Sequence, residues 1–153
     1  MFAMKLNEEM FAIKLYELEQ QYQTMQSRIR LCGRQDRQEL DREMDRARRE
    51  YRDKVLALQQ NIKGCRSPAV AQLADAQLEF AKKMEDLWNS GRLEEFFRSE
   101  KNCLAEDRAE AAALYAEYAI DYAVQAMQFA VLAALCAADQ QLSAEKAKGE
   151  NKP

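Results

Sequence analysis

The chain has 153 residues, with 23 basic against 26 acidic side chains, so it is neither a polycation nor an acidic tail. Histidine is absent, which excludes His-based acid–base catalysis and most zinc or di-iron sites. Ala, Glu, Leu, Gln, Arg, Lys and Met, all strong helix formers, make up 102 residues, whereas Val, Ile and Thr make up 9. A sheet needs β-branched and aromatic residues for its faces and Gly, Asn or Asp for its turns, so the chain is expected to be all-α. Leu, Ile, Val and Phe number only 30. That gives a thin core for this length and favours burial against a second copy or a partner.

The first helix is expected over about residues 4–31. Phe11, Leu15, Leu18, Tyr22, Met25, Ile29 and Cys32 follow in alternating steps of four and three, the a/d seam of a coiled coil. Gly33 ends it. Asp36 with Glu39 resembles a capping box and opens a second helix over about 36–63. Its seam runs through Leu40, Met44, Ala47 and Tyr51, then shifts by one residue to Val55, Leu58 and Ile62. Two matching helices joined by a short loop are expected to fold back as a long antiparallel hairpin.

Gly64 closes the second helix, and Ser67-Pro68 supplies an N-cap followed by proline at the first helical position. The third helix, about 67–89, is expected to bury Val70, Leu73, Phe80, Met84, Leu87 and Trp88. Asn89-Ser90-Gly91 interrupts it. A short helical segment over about 92–100 leads to the last helix, about 103–142. Alanine supplies fourteen of the 34 residues from Ala105 to Ala138, and residues 129–138 are apolar on every side. The charged tail 143–153 is expected to fray, leaving one helical domain over 1–142 with no linker. The fold class is therefore a helical bundle built on a coiled-coil hairpin, with an Ala-rich C-terminal helix.

Four groups of residues bear on function. The apolar stretch from Tyr122 to Ala138 spans 17 residues with two glutamines inside, short of the roughly 20 that a bilayer requires. No basic anchor precedes it, since Glu117 and Asp121 sit there. A buried or self-associating helix is the better expectation. Tyr118, Tyr122, Phe129, Leu132 and Leu135 are its interface candidates, because aromatic anchors carry most interface energy.

Residues 28–66 hold 12 basic and 7 acidic side chains. Most of these have helical partners, as in Glu39–Arg42, Glu43–Arg46, Asp45–Arg49 and Glu50–Lys54, the pattern of a solvated face. Arg28, Arg30, Arg34 and Arg37 at the hairpin tip face only Asp36. They are the candidate contact for an anion or for nucleic-acid phosphates.

Glu110, Glu117 and Asp121 share a helical face, but ferritin-like metal sites pair glutamate with histidine, so no metal or other cofactor is expected. Cys32, Cys65, Cys103 and Cys136 lie about thirty residues apart, without a C-x-x-C pair, as expected of free thiols in a reducing cytoplasm. Glu8 and Glu9 stand where a signal peptide would continue its apolar run. No Cys–His pair, phosphate-binding loop or nucleophile elbow is present. The expected role is a non-enzymatic interaction or scaffold protein of the cytoplasm, self-associating or binding another helical protein. The competing reading is a nucleic-acid-associated protein using the arginine tip.

Overall fold

A computed structural model describes residues 8–31, 33, 36–98 and 103–151. It contains five helices and, among the described residues, no strand: α1 Glu8–Leu31, α2 Arg37–Gly64, α3 Pro68–Asn89, α4 Arg92–Phe97 and α5 Leu104–Glu150. The all-α class expected from the composition is what the structure shows.

Local chemistry places the boundaries. Asp36 is extended at the N-cap of α2, and its Oδ1 accepts the Glu39 backbone N–H at 3.1 Å. Ser67 caps α3 in the same way, its Oγ accepting the Val70 N–H at 3.4 Å with Pro68 in the first turn. At the end of α3, Ser90 Oγ donates to the Leu87 carbonyl at 3.0 Å and accepts the Arg92 N–H at 3.3 Å. Gly91 then turns the chain into α4 at φ 69°, in the left-handed region that glycine adopts without a Cβ penalty. At α5 the Glu106 carboxylate reaches back to accept the Cys103 N–H at 3.1 Å.

Two boundaries differ from expectation. The short helix α4 stops at Phe97, before residue 100. Helix α5 continues through Glu150, beyond residue 142 and into the segment whose charge suggests fraying. Ala144, Glu145, Lys146, Ala147 and Lys148 are good helix formers, and Lys148 complements the dipole in the last turn.

The chain divides into two compact units whose boundaries fall inside α1 and α5. Met25–Ala113 forms one, in which α2 packs on α3 and α3 on α4. Every described buried residue lies in it: Ala74 and Leu78 on α3, Asp107 and Ala111 at the start of α5. Met1–Thr24 with Leu114–Pro153 forms the other, and its described residues include none that is buried.

The buried face of α3 is not the one that bulk predicts. Val70, Leu73, Phe80, Leu87 and Trp88 are exposed and Met84 is half-buried. The inward row is instead Ala71, Ala74, Leu78 and Ala81, rotated by about a quarter turn at 100° per residue. Alanines let the α3 backbone approach its neighbours closely, and that small-residue row outcompetes the bulkier stripe. The heptad rows of α1 and α2 are also only partly covered. Leu15, Leu18, Tyr22, Ile29, Leu40, Met44 and Tyr51 are exposed, while Ala47, Val55, Leu58 and Ile62 are half-buried.

Candidate functional site

The arginine tip is less free than its sequence suggests. Arg28 Nη1 and Nη2 donate to the two carboxylate oxygens of Glu50, each at 2.9 Å. Its Nε lies 3.3 Å from Glu43 Oε2, an ion pair. Glu43 and Glu50 stand two turns apart on α2, so one guanidinium at the end of α1 bridges both. The hydrogen bond from Arg28 holds the Glu50 carboxyl below its ordinary pKa, with the charges of Arg28, Arg46 and Arg49 adding to it and partial desolvation opposing. Glu50 in turn raises the pKa of Arg28, which stays protonated throughout.

The other tip residues are scattered in their engagements. Arg37 pairs with Asp41 at 3.4 Å, Arg30 is exposed, and Arg34 lies outside the described residues. The expectation that all four face only Asp36 is thus corrected, and Asp36 itself is occupied as the cap of α2. Of the four helical pairs read from the sequence, Glu43–Arg46 forms at 3.0 Å. Glu50 turns to Arg28 instead of Lys54, and Arg42 Nε donates to the Gln38 carbonyl at 3.3 Å. No sequence-local rule finds Arg28–Glu50, because 22 residues separate the partners.

The second surface is α5. Tyr118, Tyr122, Phe129, Leu132 and Leu135 are all exposed, from 44% for Tyr122 to 71% for Phe129. At about 100° per residue, the first four fall within an arc of about 80°, with Leu135 about 60° beyond. The exposed apolar surface extends past them, since Ile120, Val124, Met127, Val131 and Leu142 are also exposed. Helix α5 is long and apolar enough, by length and composition, to cross a membrane, and none of its most apolar 18-residue stretch is buried. The helix runs on beyond Leu142, but the residues added there are mostly polar and do not lengthen that apolar stretch.

Few groups here offer chemistry for a reaction. Among the described residues, no group of three or more His, Cys, Asp or Glu side chains is placed to hold a metal ion. Cys65, Cys103 and Cys136 are free thiols, and Cys32 lies outside the described residues. Asp107 is the most unusual polar group: it is 3% exposed, and its Oδ1 has no hydrogen-bond partner among the described residues. Comparison with protein-family models, curated proteins and solved structures finds no match to this chain.

Proposed function

We propose that the chain is a non-enzymatic helical interaction protein of the cytoplasm, a scaffold that self-associates through α5. The observation that carries this reading is the apolar surface of α5, uncovered over its most apolar 18 residues. Contiguous exposed apolar surface of this extent marks an interaction site. The residues that anchor it are Tyr118, Tyr122, Phe129, Leu132 and Leu135, with specificity set by packing and by charged flanks. In this reading α1 and α2 are the arms of an antiparallel coiled-coil hairpin that presents the unit. The Arg28 bridge to Glu43 and Glu50 supports that hairpin, because it ties the last turns of α1 to one face of α2. A phosphate-binding role for the tip draws less support, since two of its three described arginines are already ion-paired.

The test replaces Ala130 and Ala134 together by glutamate and measures mass by light scattering. The parent chain is expected to exceed its 17.7 kDa monomer mass and the variant to fall to it, both retaining their helical circular dichroism. An unchanged mass in the variant overturns the reading. So does a monomeric parent that floats with phosphatidylcholine vesicles, which makes α5 a membrane element instead.

A further inference from the structure

From the apolar surface of α5 and the charges that flank it, we infer that its occupant is a second copy of α5, packed antiparallel, with the two-fold axis beside residue 128. This rests on the self-association proposed above and adds the partner segment, its direction and its register. Of the five anchors named there it keeps Tyr122 and Phe129 on a flank of the contact and sets Tyr118, Leu132 and Leu135 outside it.

The first observation is the placement of alanine. Starting at Ala105 and stepping alternately by four and three, every position as far as Ala137 is alanine, ten in succession. An even spread of the fourteen alanines between 105 and 138 would put about four on such a row. Seven of the ten are exposed, and Ala112, Ala119 and Ala137 are half-buried. A four–three row is the contact line of a coiled coil, and alanine at every position permits closer backbone approach than leucine does. The α3 helix uses three alanines in the same way, turning Ala71, Ala74 and Ala81 inward with Leu78 while Val70, Leu73 and Phe80 stay outside.

The second observation is independent of the row and selects the partner. Seven-residue repeats run along each flank of the alanines. One flank begins at Arg108, passes Phe129 and ends at Glu150; the other begins at Glu106, passes Met127 and ends at Lys148. In an antiparallel pair of identical helices, each flank meets the same flank of the other copy, running the opposite way. With the axis beside residue 128, Arg108 meets Glu150 of the second copy and Glu106 meets its Lys148. Met127 and Phe129 meet their own counterparts at the centre, and both are exposed.

A shift of one heptad destroys this match. It sets Arg108 against Ser143 and Glu106 against Gln141 in one direction, or Glu150 against Tyr115 and Lys148 against Ala113 in the other. A parallel pair instead sets one flank against the other, leaving Arg108 beside Ala113 and Lys148 beside Ser143, so neither charge meets an opposite one. Antiparallel pairing in the one register therefore satisfies both flanks and also overlaps α5 along nearly its whole length.

The experiment places a single spin label at residue 139 or residue 146 of the full chain, with the native cysteines replaced by serine. Light scattering measures the mass of each labelled protein, and pulsed electron–electron resonance measures the distance between labels. Residues 139 and 146 are two turns apart and outside the alanine row, so their lateral offsets match. Antiparallel pairing about residue 128 gives axial separations of about 33 and about 54 Å, a difference of about 21 Å at 1.5 Å per residue. Associated chains with equal, short distances at both sites overturn the antiparallel pairing and leave self-association standing. Distances that differ as expected but extrapolate to an axis half a heptad away, the position that a one-heptad shift of register gives, overturn the charge-set register. A chain that stays monomeric overturns both this inference and the function on which it rests.

Discussion

Replacing Phe129 by alanine tests the α5 surface with little disturbance of the single chain. Phe129 is 71% exposed, so its removal opens no cavity, and alanine is the better helix former. Burying a whole phenylalanine side chain contributes about 1.5–3 kcal/mol, and the exposed share of this one corresponds to about 1.5 kcal/mol. Both copies lose it in a symmetric pair, which makes about 3 kcal/mol per dimer. The entropic cost of association is common to parent and variant and cancels in the difference. At 1.4 kcal/mol per tenfold, F129A is expected to raise the dissociation constant roughly 100-fold. Sedimentation equilibrium over a concentration series reads the constant directly, and circular dichroism at 222 nm checks that the helix persists. A dissociation constant within about threefold of the parent's would refute the claim that this face is an interface.

Three further substitutions test the fold around the site. Because the Arg28 hydrogen bond depresses the pKa of Glu50, its contribution to stability is fully present above the unfolded carboxylate range, about 4.3, and is lost as pH falls through the lower folded value. Urea midpoints of the parent and E50Q should therefore differ at neutral pH and converge in acid; a gap that persists at the acid end contradicts the assignment. Gly91→Ala forces a Cβ into a φ of 69° and toward Glu94 Oε2 at 3.1 Å, a movable side chain. The backbone penalty of about 1 kcal/mol should appear in urea unfolding, and an unchanged midpoint would exclude the left-handed turn. Asp107→Ala removes a buried acceptor whose lack of a partner costs about 1–3 kcal/mol, offset by about 0.3–1 kcal/mol of lost charge–dipole attraction in the first turn. Its midpoint temperature should rise, and a fall would mean that the carboxylate is satisfied in solution.

Punctuation was the most readable part of the chain. Asp36, Ser67-Pro68 and Gly91 stand at helix ends because each acts on its own neighbours, through a cap, a missing donor or a left-handed φ. Charge is a poor guide to the C-terminal segment: the charges after Leu142 lie on a continuing helix, since helix propensity and charge are separate properties. The alanine row of α5 was open to view in the sequence, yet counting alanines hides it. Only a step-by-step match to the heptad reveals that ten of them fall on one line.

The sequence by itself determined that this protein is helical, where its helices begin and end to within a few residues in most cases, and that α5 is apolar to an unusual degree. Those properties arise from interactions between residues a few positions apart. Only the tertiary structure decided that α3 turns Ala71, Ala74 and Ala81 inward and Phe80 outward, and that Arg28 bridges Glu43 and Glu50. Both depend on which surfaces meet. A helix with two apolar stripes can pack by either one, and a guanidinium can choose among many carboxylates, until the fold brings one backbone or one pair of carboxylates within reach.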